Sequence, residues 1–168
     1  MTIAVEVRPD SGTPPTVHYR WDADTDIFTA TLSLQRTFAE PSASVEIEGT
    51  DGSWLVLELR AGRVVGVEVA LWPDVHRNPA LAAPLVAESA DVIVPMGASA
   101  GPATLEVEAL MRAEADVAEQ VVHFRIGDRR EARSVRCGSD LLLDVDRQGH
   151  LAGLWFLNVP PFPATTPP

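Results

Sequence analysis

The chain of 168 residues has no lysine, so all 13 of its cations are arginine, and it holds a single cysteine and a single tyrosine. A lone Cys137 excludes an intramolecular disulfide. No apolar run approaches the ~20 residues of a membrane span, and no basic start leads into an apolar stretch as in a signal peptide. A cytoplasmic protein with no membrane association is therefore expected. Cations are also too few: 24 acids give a net charge of −11, which sets the chain against nucleic acid and anionic surfaces. Cys/His ligand spacings and a Gly-rich phosphate loop are both missing, so no metal and no cofactor are expected.

What the chain does have is self-similarity. Val17-His18-Tyr19-Arg20 returns as Val122-His123-Phe124-Arg125. The run Trp54 to Leu59, closed by Gly62-Arg63-Val64-Val65-Gly66-Val67, returns as Asp140 to Val145, closed by Gly149-His150-Leu151-Ala152-Gly153-Leu154. Spaced self-similarity reads as a duplicated unit. The expected plan is one domain, 1–168, with unit one at about 17–71, a connector at 72–102, unit two at about 104–159 and a tail at 160–168. The His-aromatic-Arg tripeptide recurs after a longer interval than the Gly-Gly turn. On that pairing unit two is the shorter, and it lacks the piece from about 35 to 52.

Alternating apolar and β-branched runs predict strands at 2–7, 17–21, 27–34, 45–48, 53–59 and 63–71, then at 121–126, 132–137, 141–145 and 151–159. Turn residues separate them, as at Gly49-Thr50-Asp51-Gly52 and Asp146-Arg147-Gln148-Gly149. The Pro-rich connector excludes a long helix, with one short helical turn expected within 80–90. Residues 104–119 start like a strand and continue with helix formers, so a helix is expected in their second half. The fold class read from this is mainly β: two pseudo-symmetric antiparallel meanders forming a sandwich or a partly closed barrel.

The stretch Leu142 to Leu157, with its echo Gly62-Arg63-Val64-Val65-Gly66-Val67-Glu68-Val69, resembles small bacterial β-meander domains of unknown function. Their signature is an acidic strand, an Asp/Gly turn and a Gly-[Ile/Val]-Glu-[Ile/Val] strand, and their opening strands are similar to Tyr19 through Phe28. The resemblance implies a fold and no activity. The second copy departs from it, with Leu154-Trp155-Phe156 where the first keeps Val67-Glu68-Val69. In size, acidity and aromatic content the chain also resembles small stand-alone polyketide cyclases of actinobacteria, which implies a cofactor-free cyclase, including a pericyclic one.

Several side chains are candidates for chemistry. Asp22, Asp24 and Asp26 mimic the start of a calcium loop, but Ile27 stands where it needs Gly and Ser33 where it needs Glu, so they read as an acidic turn. His18 and His123 take matching places in the two repeats and read as strand histidines. Cys137 lies beside Arg136 without a nucleophile motif around it. Arg125, Arg129, Arg130, Arg133 and Arg136 make a strip that reads either as an anion or partner site or as a solvated face. Trp54, Trp72, Met96, Met111 and Trp155 are the candidate lining of an apolar pocket roofed by the connector, with Tyr19 or His18 offering a hydrogen bond to a substrate carbonyl. Two functions follow. One is a cofactor-free cyclase that shapes an apolar, polyketide-like small molecule by orientation alone. The other is a non-catalytic interaction protein that uses its acidic surface or the Arg strip. Homo-oligomerisation is left open by both.

Overall fold

The computed structural model describes residues 2–10, 12–33, 42–85, 88–97 and 103–162. Its strands in chain order are β1 (Glu6–Pro9), β2 (Val17–Trp21), β3 (Phe28–Leu32), β4 (Ser42–Gly49), β5 (Trp54–Arg60), β6 (Arg63–Leu71) and β7 (Val75–Arg77). There follow β8 (Ala90–Ile93), β9 (Ala103–Ala109), β10 (Met111–Ala115), β11 (Val122–Ile126), β12 (Ala132–Gly138), β13 (Leu141–Asp146) and β14 (Leu151–Phe156). The fold is all-β, a partly closed sandwich of two sheets, with no helix among the described residues. None of these residues forms a helix long and apolar enough to cross a membrane.

Sheet one runs β1-β8-β6-β5-β4-β9, with β3 also on β6 and β2 on β3. It curls because β6 gives one edge to two partners, pairing with β8 at Arg63 and with β3 from Gly66 to Val69. Sheet two runs β12-β13-β14-β11-β10-β7. Inward side chains of both sheets form one core, in which Phe28, Phe124, Phe156, Ile47, Leu57 and Leu143 are fully buried. The period-two alternation that made these segments strands is also what delivers every second side chain to that core.

Two sets of five strands share one plan. Within β2–β6 the spatial order is third, fourth, fifth, second, first strand, and within β10–β14 it is the same. Registers agree in detail: Glu58 pairs with Gly66 and Gly66 with Thr31, as Asp144 pairs with Gly153 and Gly153 with Arg125. The two sets share a bulge at matching places, between Glu58 and Leu59 and between Asp144 and Val145. The hairpin that follows turns on a glycine with φ of 75° at Gly62 and 79° at Gly149. That geometry is natural for glycine and strained for other residues.

This topology corrects four expectations. β11 occupies the second-strand position, as β3 does, and β2 matches β10. His18 is therefore the counterpart of Arg112, and Thr29 that of His123. Nothing corresponding to β4 is missing from unit two either, since β12 takes its place. The two copies of Val-His-aromatic-Arg look alike because any strand with one buried face repeats that inward-outward pattern. The expected helices are also absent among the described residues. Residues 111–115 are strand β10, whose Met111, Ala113 and Ala115 are buried, so packing overrides the helix propensity of Ala, Glu and Met. Within 80–90 the described residues give a turn at Pro79-Ala80 and the start of β8. Where it is described, the connector joins the sheets instead of roofing a pocket. Its β7 and β8, with β9, enter the sheets, β7 and β9 running parallel to β10 and β4 and covering those edges. Of the tail, residues 163–168 lie outside the described set.

Candidate functional site

The outer face of sheet two carries a polar arrangement that register alone puts together. One lateral row runs Ser134, Asp144, Gly153, Arg125, Arg112. The adjacent row runs Arg136, Leu142, Trp155, His123, Glu114, His76. Gly153 leaves a gap in the first row, and the side chains on either side close over it. A Cβ at Gly153 would press on the Phe124 carbonyl oxygen and lie 3.1 Å from Asp144 Oδ2 and 3.2 Å from His123 Nε2.

Asp144 is the hub, and it is buried although it faces outward. Its Oδ2 lies 2.9 Å from His123 Nε2, its Oδ1 accepts the Ser134 hydroxyl at 2.5 Å, and the Trp155 indole N–H reaches both oxygens at 3.1 and 3.2 Å. The His123 and Trp155 rings stack at 3.9 Å with 12° between planes. A carboxylate can only accept, so Nε2 carries the proton of this hydrogen bond and the lone pair of the neutral ring sits on Nδ1. Stacking and hydrogen bond together fix the imidazole plane. Ser134 donates to Asp144 and not to the imidazole, so these residues do not form a nucleophilic serine relay.

Beside this network lies a hollow of about 310 Å³ lined by His123, Asp144, Arg125, Glu114, Asn78 and Arg129 among others. The Arg125 Nε is buried and has no hydrogen-bond partner among the described residues. Of the rest of the arginine strip, Arg129 also lines the hollow and forms no side-chain hydrogen bond or ion pair among the described residues, whereas the other three are occupied. Arg130 bonds Asp146 at 2.7 Å and three backbone carbonyls, Arg133 bonds Glu88 at 2.7 Å, and Arg136 donates to the Ser139 carbonyl at 2.6 Å. A larger hollow of about 680 Å³ near Ile3 and Gly127 has its Asp146 already bonded by the Arg130 guanidinium at 2.7 Å and by the His150 amide at 2.9 Å. It offers a ligand less unmet hydrogen-bonding capacity.

The residues singled out in the sequence are dispersed. Tyr19 and Trp72 come together in an aromatic cluster between the sheets, where Trp72 stacks on Trp21 at 5.5 Å and meets Phe28 and Phe124 at 5.8 and 5.5 Å. Tyr19 lies on Phe28 at 5.2 Å, and its hydroxyl donates between the Asp140 and Leu157 carbonyls at 2.9 and 2.8 Å. It thus clips β2 to the ends of β13 and β14. Burial, with the charge of Asp140 second, pushes its phenol pKa upward. His18 is exposed, Trp54 is 37% exposed, Met96 is half-buried at the core margin, and Met111 is buried near Gly49. Trp155 alone of this set belongs to the polar network. Cys137 is buried with its thiol pushed up to about 12, burial outweighing Arg63 and Arg136. Among the described residues no group of three or more His, Cys, Asp and Glu is placed to hold a metal ion.

Sequence reading missed Asp144 and the link from His123 to it. One signal was available: Asp144 interrupts the buried run Leu141-Leu142-Leu143 and Val145, and a charge there needs local partners. No protein-family model matches this chain, and no curated protein matches it either.

Proposed function

We propose that this protein binds a small organic anion in the hollow on the outer face of sheet two, and that His123 exchanges a proton with it. The observation that carries this reading is Arg125, which lines a hollow that also presents His123 and whose buried Nε has no partner among the described residues. A buried donor left unmade costs about 1–3 kcal/mol, and an anion drawn against the guanidinium, with a small shift of that side chain to open Nε, supplies the missing acceptor. Asp144 contributes by holding the imidazole in one plane and one tautomer, with Nδ1 as the free lone pair. Trp155 supports it from the other face. The hollow is at the low end of ligand-site volumes, which suits a molecule well below drug size.

The shape-directed cyclase expected from aromatic content would instead use the space between the sheets. There the rings of Tyr19, Trp21, Phe28, Trp72, Phe124 and Phe156 pack at centroid distances from 4.6 to 6.3 Å, and a substrate would have to part them. The polar hollow needs no such rearrangement.

Calorimetry with n-butyrate tests the proposal. Wild type should bind at one site, and Arg125→Gln should weaken binding about tenfold, the equivalent of one charge-assisted hydrogen bond. Apparent enthalpies should differ between phosphate and Tris buffers, revealing proton uptake, and should become equal in His123→Gln. An Arg125→Gln protein that binds like wild type would overturn the anion site. Equal enthalpies in the two buffers for wild type would overturn the role of His123.

A further inference from the structure

Glu114 lines the same hollow as Arg125 and is half-buried, as Arg125 is. In the register of β10 on β11, Glu114 stands directly across from His123, and Arg112 across from Arg125. Glu114 and Arg125 are thus diagonal neighbours, roughly 7–8 Å apart by the geometry of antiparallel pairs. Among the described residues neither takes part in an ion pair, with the other or with any third group. Arg130, Arg133 and Arg147 each hold a carboxylate at 2.7 Å, whereas Arg112, Arg125 and Arg129 hold none among the described residues. The fold does not impose it, because the matching positions in β2–β6 are Arg20 and Thr31, which reverse or remove the charges.

Two opposite charges, unpaired among the described residues and flanking one imidazole, are complementary to a ligand that carries both signs. Building on the anion site above, we infer that the ligand is a small zwitterion, an amino-carboxylic acid, with its carboxylate on Arg125 and its ammonium on Glu114. His123 then lies beside the carbon chain that joins the two groups. Separation of the sites favours charges several bonds apart.

Competition among γ-aminobutyrate, n-butyrate and n-butylamine on the full chain decides this. Wild type should bind γ-aminobutyrate about tenfold more tightly than n-butyrate, and n-butylamine more weakly than either. Glu114→Gln, isosteric and on the surface, should bring γ-aminobutyrate and n-butyrate within about twofold of each other. Its melting temperature reports that it is folded. If wild type binds n-butyrate and γ-aminobutyrate equally, or Glu114→Gln keeps the preference, the zwitterion is wrong and the anion site stands. If wild type binds neither, the anion site itself is wrong.

Discussion

Both five-strand units offer an outer face with the same framework, and they use it in opposite ways. At matching positions the first unit has Ser44, Glu58, Gly66 and Thr31 in one row and Glu68 and Thr29 in the next. The second has Ser134, Asp144, Gly153 and Arg125, then Trp155 and His123. Glu58 is exposed and forms no side-chain hydrogen bond among the described residues, whereas Asp144 is buried and accepts from three side chains. The serine and the glycine are common to both, so the framework alone does not make a site. Shortening Glu to Asp draws the carboxylate down onto the sheet, and Trp in place of Glu68 covers it. His in place of Thr29 then has a fixed acceptor.

Substitution at matching positions can break this comparison. The largest effect is expected at the hub: Asp144→Ala leaves three donors unmatched and should cost about 3 kcal/mol, a fall in melting temperature of roughly 6–12 °C. Glu58→Ala should stay within about 0.5 kcal/mol. Equal losses at the two positions would show that the acid has the same role in both units.

Next in size is the glycine pair. Gly153→Ala would push a methyl against the Phe124 carbonyl, which is backbone and cannot swing away, and should cost about 2 kcal/mol. At Gly66 the nearest atom is the mobile end of Glu58, at 2.9 Å, so Gly66→Ala should be the milder change. Thermal denaturation of both variants checks the order.

The hairpin turns differ more subtly. Gly62 and Gly149 both have positive φ, so alanine at either should cost about 1 kcal/mol. A Cβ at Gly62 would in addition come within 2.9 Å of the Val94 carbonyl, against 3.6 Å to Val5 at Gly149, which makes Gly62→Ala the costlier.

The smallest effect depends on pH. Burial would raise the Asp146 carboxyl, but the His150 amide, the Arg130 guanidinium and the Gln148 amide outweigh it and hold its pKa below the ordinary 3.8. A lowered folded-state pKa stabilises the native state above the unfolded value, and the benefit is lost as pH falls through the folded one. Asp146→Asn should therefore cost about 1 kcal/mol at pH 7, with the gap to wild type closing below about pH 4. A gap that stays constant between pH 7 and 2 would count against this ion pair and cap. The first unit's turn, Arg60-Ala61-Gly62-Arg63, has no such acid and no such dependence.

Much of the framework was legible because it is local. Period-two alternation marked most strands, and Gly62 and Gly149 marked the matching turns. Pairing of the units was harder, since Val17-His18-Tyr19-Arg20 and Val122-His123-Phe124-Arg125 share a pattern without sharing a position. Met111 to Ala115 was obscured by helix-forming residues that only the core makes into a strand. The site was least legible: His123, Asp144, Ser134 and Trp155 lie on four strands, and Trp155 and His123 had been read separately. Their meeting depends on a register that a glycine in the middle of β14 permits.

The central claim is that the outer face of sheet two, and not its counterpart on sheet one, is the binding site. Amide shifts of the ¹⁵N-labelled protein during titration with n-butyrate test it most directly. The account predicts changes that cluster at Glu114, His123, Arg125 and Gly153, with Arg20, Thr29, Thr31 and Gly66 unmoved. Equal changes at the two sets, or changes confined to the aromatic cluster around Trp72 and Phe28, would contradict it.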